Sequence, residues 1–176
     1  MKPIDIEREL QDLVASEEMS AFFDVTVPLA SGPVEGLCKV SRPRERRSRA
    51  TYLSLMFVID AADPTVLRGI DTHMGAADWN ASASAIPGVD CILEIPHRGS
   101  TAGLFLKEID VYLDGSRPAD EAFLRDVLPA IARAAHLHAG EVTVWEDTKT
   151  AATQGGGASG QTLLSRLRRF TGGAPR

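Results

Sequence analysis

The sequence contains no long apolar run, and this absence argues against a membrane-spanning helix. No uninterrupted apolar stretch among its 176 residues approaches the roughly 18 residues that a membrane-spanning helix needs. Acidic residues follow the first methionine closely, where a secretory signal peptide would carry its apolar region. We therefore expect a cytoplasmic protein.

Cysteine is scarce, which argues against a disulfide-stabilised domain. The two cysteines, Cys38 and Cys91, lie in apolar segments without a Cys-x-x-Cys spacing, so we expect buried thiols rather than a disulfide or metal ligands. The histidines also lack a spacing that would gather two of them with carboxylates or thiols, and we predict no metal site. They are His73, His97, His136 and His138. At His73 we expect a ring satisfied by a backbone group at the core edge.

The chain also lacks the motifs of common catalytic and cofactor sites. Residues 155–162 have the glycine spacing of a phosphate-binding loop, but Gln161 stands where the phosphate-binding lysine must be, and we interpret the stretch as a flexible linker. No Gly-x-Ser-x-Gly nucleophile motif occurs. We predict no cofactor. The best enzyme candidate is a hairpin loop that brings together His97, Arg98 and Ser100 as base, anion clamp and nucleophile.

Aromatic residues are missing between the arginines of residues 41–49. This run carries five arginines and one glutamate, a net charge of +4, which leaves −9 for the rest of a chain whose overall charge is −5. A pI near 5.4 and the lack of interleaved aromatics disfavour nucleic acid. The guanidinium groups instead favour an acidic protein partner, with the protein's own acidic face or plain solvation as alternatives. The predicted partner-binding residues here are Arg42, Arg44, Arg46, Arg47 and Arg49.

What the chain does contain is the composition of a folded domain. Hydrophobic residues make up 44% and charged residues 24%, far from the range of disordered chains. We divide the chain into a globular domain at 1–147, a Gly-rich linker at 148–160, and a short basic tail at 161–176.

Residue periodicity predicts the order of elements in the domain as α-β-β-β-α-β-β-α-β. In chain order these are a helix from Pro3, strands at 21–27, 34–40 and 51–59, a helix from Asp63-Pro64 to Ala77, strands at 91–95 and 104–113, a helix from Pro118 to Gly140, and a strand around Val142 and Val144. Pro28 is expected to end the first strand, and the strand at 51–59 is expected in the middle of the sheet.

Short turns between neighbouring strands predict an α+β domain of two layers. A mainly antiparallel sheet of about six strands would be covered by three amphipathic helices. The order up to Leu137 resembles that of the small acidic dimeric chaperones that escort type III secretion effectors, and a last strand at 141–145 departs from it. The resemblance is one of element order and transfers no residue role; it implies a protein-binding class and allows a homodimer.

The tail carries a second set of predicted partner-binding residues. On a helix, one side would hold Leu163, Leu164, Leu167 and Phe170, with Ser165 and Arg169 opposite. About ten residues do not hold a helix alone in water, so this tethered segment needs a surface. That surface is its own domain or a second copy, a separate protein, or, more weakly, an anionic membrane.

These observations favour a non-catalytic protein-binding adaptor, in the manner of a secretion chaperone or a toxin-neutralising immunity protein. It would engage its partner through a sheet or groove and the C-terminal helix. Two alternatives stay open. One is a small metal-independent hydrolase or transferase that uses the His97 loop, and the other is a structural subunit of a larger assembly.

Overall fold

The described parts of the chain form an open antiparallel β-sheet with three helices. The structure is a computed structural model and describes residues 19–47, 50–61, 63–96 and 103–144. The elements are β1 (Met19–Leu29), β2 (Gly32–Ser41), β3 (Arg44–Glu45), β4 (Thr51–Asp60), α1 (Pro64–Gly75), α2 (Trp79–Ala85), β5 (Val89–Ile95), β6 (Leu104–Leu113), α3 (Glu121–Ala134), β7 (His138–Ala139) and β8 (Thr143–Val144). The predicted mixed α+β class is confirmed.

The sheet runs in the order β5-β6-β4-β2-β1-β7, with β3 added to β4 and β8 added to β1. Strand β4 pairs with β2 on one side and β6 on the other, so its predicted central place is confirmed. Both predicted hairpins, β1 with β2 and β5 with β6, pair antiparallel. The prediction of about six strands was low, because β3 and β7 contain two residues each and show no periodicity.

The prediction that Pro28 ends the first strand was wrong. Strand β1 continues to Leu29, and Pro28 lies opposite Pro33 of β2. Neither proline has an N–H to donate, so the pair fits a non-hydrogen-bonded position of an antiparallel ladder. The ladder therefore tolerates both rings without losing a bond.

Side-chain caps fix where the first two helices begin. Asp63 accepts a hydrogen bond from the Thr65 N–H at 2.7 Å, and Pro64 occupies the first turn of α1, as predicted. Asp78 caps α2 in the same way by accepting from the Ala81 N–H at 3.0 Å. The sequence predicted a single helix here, because the seven residues of α2 are too few for a clear apolar stripe.

Helix α3 ends differently from the prediction. Gly140 was expected to close it, but the helix ends at Ala134, and His136 takes a left-handed conformation with φ of 59°. The N–H groups of His136 and Leu137 bond back to the carbonyls of Arg133 and Ala132, each at 2.9 Å, which is the Schellman pattern. Gly140 instead donates to the Asp24 carbonyl of β1 at 2.7 Å.

Strand alternation gives the sheet two distinct faces. The helix face carries the hydrophobic core, which contains the buried side chains of all three described helices. Its sheet members include Phe23, Val25, Cys38, Leu55, Phe57, Ile59, Ile92, Ile109 and Val111, all at most 2% exposed. We call the opposite surface the second face.

The cysteines, the membrane-span prediction and the remaining predicted segments differ in how far the described residues cover them. Cys38 is buried as predicted, whereas Cys91 is only half-buried on β5; both thiols are free. Within the described ranges, no helix is both long and apolar enough to cross a membrane. The predicted N-terminal helix, the His97 loop, the linker and the tail lie outside the described residues.

Candidate functional site on the second face of the sheet

The second face combines apolar, acidic and basic side chains in rows across the strands. The strand registers place Cys91, Tyr112 and Tyr52 in one row and Leu93, Asp110 and Ser54 in the next. A third row contains Ile95, Glu108, Met56, Lys39 and Phe22, and a fourth contains Leu106, Val58, Leu37 and Asp24. This face therefore carries most of the polar chemistry of the sheet.

An arginine from the predicted basic run packs onto this face. The guanidinium carbon of Arg46 lies 5.5 Å from the ring centroids of both Tyr52 and Tyr112, which stack on each other at 5.4 Å. The Nη2 atom of Arg46 also lies 3.6 Å from Oδ2 of Asp110. The four residues form what we call the Arg46 cluster, in which the charge is held by two aromatic faces and one carboxylate.

Asp110 is the buried acid of this cluster, with 5% of its surface exposed. Burial raises its pKa above the ordinary value of 3.8, and the charge of Glu108 adds to the rise, while Arg46 and Ser54 oppose it. Burial likewise raises the pKa of Tyr112 above 10.0, so its hydroxyl stays protonated at neutral pH. Ser54 donates to Oε1 of Glu108 at 2.9 Å, which fixes the neighbouring carboxylate.

Serine hydroxyls attach the start of the basic run to the sheet. The buried hydroxyl of Ser41 accepts from the Ser54 N–H at 2.9 Å and donates to the Arg42 carbonyl at 3.1 Å. Ser20 donates to the Ser41 carbonyl at 2.8 Å. The chain that carries the arginines therefore leaves the sheet from a fixed point.

The structure separates the five predicted arginines. Arg44 lies in β3 opposite Tyr52, and Arg46 joins its cluster, so both belong to the second face. Arg47 is exposed, and Arg42 is half-buried. Arg49 lies outside the described residues. At Arg46 the structure therefore shows the contact with the protein's own acidic surface that the sequence left as an alternative.

Beside the cluster lies a strip of partly exposed apolar side chains. Among the described residues, Leu93 is the exposed large hydrophobic one, with 48% of its surface accessible. Ile95, Met56 and Leu106 lie on the same face and are half-buried. We call these four residues the apolar strip. Periodicity alone did not identify it, because β5 and β6 alternate in the same way whether or not a face is covered.

Two histidines that the sequence kept apart come together at the end of α3. Nε2 of His73 lies 2.7 Å from the His136 carbonyl, and since a carbonyl only accepts, this nitrogen carries the proton. The rings meet edge to face at 6.0 Å. His73 thus has the backbone partner that was expected. In the described parts of the chain, no three histidine, cysteine, aspartate or glutamate side chains form a group suited to a metal ion.

The helix face has its own charged contact, at the edge of the core. Oε1 of Glu94 accepts from Nε1 of Trp79 at 2.7 Å and lies 2.9 Å from Nζ of Lys107. Burial alone would raise the pKa of Glu94, but the hydrogen bonds from Lys107 and Trp79 and the charge of Lys107 outweigh it and lower the pKa below 4.5. This contact links α2 to the β5–β6 edge and is structural.

Compared with the models of known families, with curated proteins and with solved structures, the chain matches none.

Proposed function

We propose that the protein is a non-catalytic adaptor that binds a protein partner, in the manner of a secretion chaperone or a toxin-neutralising immunity protein. The second face and the C-terminal helix are its binding elements. In this proposal the domain has two layers, with helices on one face of the sheet and the partner received on the other. It acts in the cytoplasm as a monomer or homodimer.

The observation that carries this proposal is the apolar strip next to the basic run. Leu93 exposes 48% of its surface, and the half-buried Ile95, Met56 and Leu106 lie in the two rows that follow on the same face. A contiguous apolar patch of this kind marks a protein-binding surface. Arg46 contacts Asp110, which lies opposite Leu93, and its side chain remains 55% exposed, so a cationic group lies beside the strip. Arg47 follows it in the chain and is exposed. An apolar centre with a charged rim suits an acidic partner protein.

The first test is a capture experiment with full-length variants. We expect Leu93→Asp to abolish retention of the partner from lysate, and Arg47→Glu to weaken it, since the first places a carboxylate in the apolar strip and the second reverses a rim charge. Arg68→Glu, an exposed charge reversal on α1, is the matched control and should retain the partner.

Equal capture by the wild type and all three variants would contradict the assignment of this face. If none of these proteins captures a stoichiometric partner, the proposed adaptor function is wrong. The hydrolase or transferase that uses His97, Arg98 and Ser100, and the structural subunit, then become the readings to test.

A further inference from the structure

Part of the second face is buried although the described helices lie elsewhere. Phe22, Leu37, Val58 and Leu104 are 2%, 1%, 2% and 4% exposed. None of them belongs to the core cluster, which contains the buried side chains of α1, α2 and α3. The described helices therefore do not account for this burial. We call these four residues, with the half-buried Met56 and Leu106, the acid-ringed patch, for the charges around it.

Four acidic residues surround this patch. Asp24 lies opposite Leu37, Asp60 opposite Leu104, and Glu108 opposite Met56. Glu35 lies on β2 two positions before Leu37 and therefore on the same face. Lys39 is the basic residue that the register places within the group. With four acids and one lysine, the patch has a net negative charge and an apolar centre. It suits an occupant that is apolar along one side and basic along its margins.

Two segments outside the described residues carry predicted apolar stripes, and their charges differ. Residues 1–18 contain six acidic and two basic side chains, whereas residues 163–170 contain three arginines and no acid. The acidic residues 1–18 would be repelled by the negative patch, whereas the basic residues 163–170 would be attracted to it. Charge therefore selects the C-terminal segment.

The positions of the arginines in that segment also fit. At about 100° per residue, the stripe of Leu163, Leu164, Leu167 and Phe170 has Arg166 on one margin and Arg168 on the other, each roughly 90–110° from its centre. Arg169 points away, as does Ser165. A helix laid on the patch would therefore place one arginine towards the acids on each side.

The connection is long enough for the segment to reach the patch. The described chain ends with Val144 in β8, which pairs with β1, and eighteen residues, 145–162, separate it from Leu163. A flexible Gly-rich tether of that length spans about 23 Å on average. From β8 to β4 is three strand spacings, about 14 Å. An intrachain contact therefore has a high effective concentration.

We propose that residues 163–170 dock as a helix on the acid-ringed patch of the same chain. The docked helix turns Arg169 outward, beside the surface assigned above to the partner. The docking itself requires no partner. Because the docked helix covers Met56 and Leu106 of the apolar strip, a partner bound as proposed would contact Leu93, Ile95 and the outer side of the helix.

Disulfide trapping in the full chain tests this docking. In a Cys91→Ser background, Met56→Cys with Leu167→Cys should form an intrachain disulfide about tenfold faster than the matched pair Met56→Cys with Ser165→Cys, because only the first brings its β-carbons within bonding distance. Cys38 can remain, since burial raises the pKa of its thiol well above the ordinary value.

Three outcomes would overturn the docking. Equal rates for the two pairs would show no preferred contact, and disulfide-linked dimers would assign the patch to a second copy. Faster trapping of Met56→Cys with Leu10→Cys would assign it to the N-terminal segment.

A melting experiment gives a second readout. Leu167→Asp should lower Tm by about 2–4 °C, and Ser165→Asp should leave it unchanged. An unchanged Tm for Leu167→Asp counts against the docking. If Leu93→Asp still captures the partner as the wild type does while the trapping rates differ as expected, the proposed function has failed and the docking stands. If Leu93→Asp loses capture while the two trapping rates are equal, the docking has failed and the proposed function stands.

Discussion

His136 occupies a backbone conformation that glycine adopts more easily. Its φ of 59° lies in the left-handed region, and its N–H and that of Leu137 complete the Schellman motif of α3. We expect His136→Gly to raise the free energy of unfolding by about 0.5–1 kcal/mol, because relief of the left-handed strain exceeds the added entropy of the unfolded chain. Urea denaturation measures it.

The carbonyl that accepts from His73 is a backbone group, so His136→Gly preserves that bond. His136→Val is the contrasting variant, and its β-branch should lower stability at the same φ. If the glycine variant were less stable than the wild type, the ring contact between His73 and His136 would be worth more than the backbone strain.

Asp110 should make the protein lose stability as the pH rises. Its pKa in the folded state lies above the ordinary 3.8, so the folded protein binds this proton more tightly than the unfolded chain does. Between those two pKa values the free energy of unfolding from this group falls with rising pH, and above the folded pKa the loss is complete. Asp110→Asn removes the effect, so the wild type should lose stability relative to it from pH 3.5 to pH 7.

Glu94 provides a control of opposite sign. Its pKa is lowered in the folded state, so its contribution is present above 4.5 and is lost as the pH falls through the folded value. The wild type should therefore gain stability relative to Glu94→Gln as the pH rises through this range. Parallel pH profiles for the two variants would contradict both assignments.

Neighbouring arginines of the same run should respond differently to charge reversal. Arg46 contacts Tyr52, Tyr112 and Asp110, so Arg46→Glu loses two cation–π contacts and places a carboxylate beside a buried acid. We expect a loss of about 1–2 kcal/mol. Arg47 is exposed, and Arg47→Glu should change stability by less than about 0.5 kcal/mol. Thermal and urea unfolding of the two variants measure the difference.

Equal losses for both variants would mean that the two side chains share one environment. If neither Arg46→Glu nor Arg47→Glu lowered the stability, the Arg46 cluster would be held together by its tyrosines alone.

Elements with strong local signals could be predicted from the sequence. Asp63 and Pro64 determine the start of α1 through a side-chain cap and a fixed φ, and both act within a few residues. The apolar residues on both faces of β4 predicted a strand in the middle of the sheet, and β2 and β6 do flank it. By contrast, β3 and β7 contain two residues each, which is too few for a visible alternation. The partner of β7 is also remote, because His138 pairs with Thr26, 112 positions away.

The candidate site could be predicted only in part, for the same reason. The sequence identified the arginine run from its charge density. It could not identify Asp110 as the acid that meets Arg46, because 64 positions of chain separate them and only the register of β4 with β6 joins them. Leu93 was likewise not identified, since its exposure depends on what covers the second face.

Charge is unevenly distributed over the whole molecule, and this should govern how fast it meets a partner. The run at 41–49 contributes +4 to a chain of net charge −5. The structure ties one of its arginines to Asp110 and leaves Arg47 exposed, so Arg47 is a better steering charge than Arg46. Rim charges of this kind act mainly on the association rate.

For an acidic partner obtained by capture, Arg47→Glu in the full chain should slow association roughly three- to tenfold at about 50 mM salt, with little change in dissociation. At about 500 mM salt, where the screening length falls to roughly 4 Å, the difference should nearly vanish. Stopped-flow or surface-based kinetics at both salt concentrations measure this, with Arg68→Glu as the control for net charge. If Arg68→Glu slowed association equally, the total charge and not the placement of the basic run would determine the rate. The assignment of Arg47 to the charged rim of the binding surface would then be wrong.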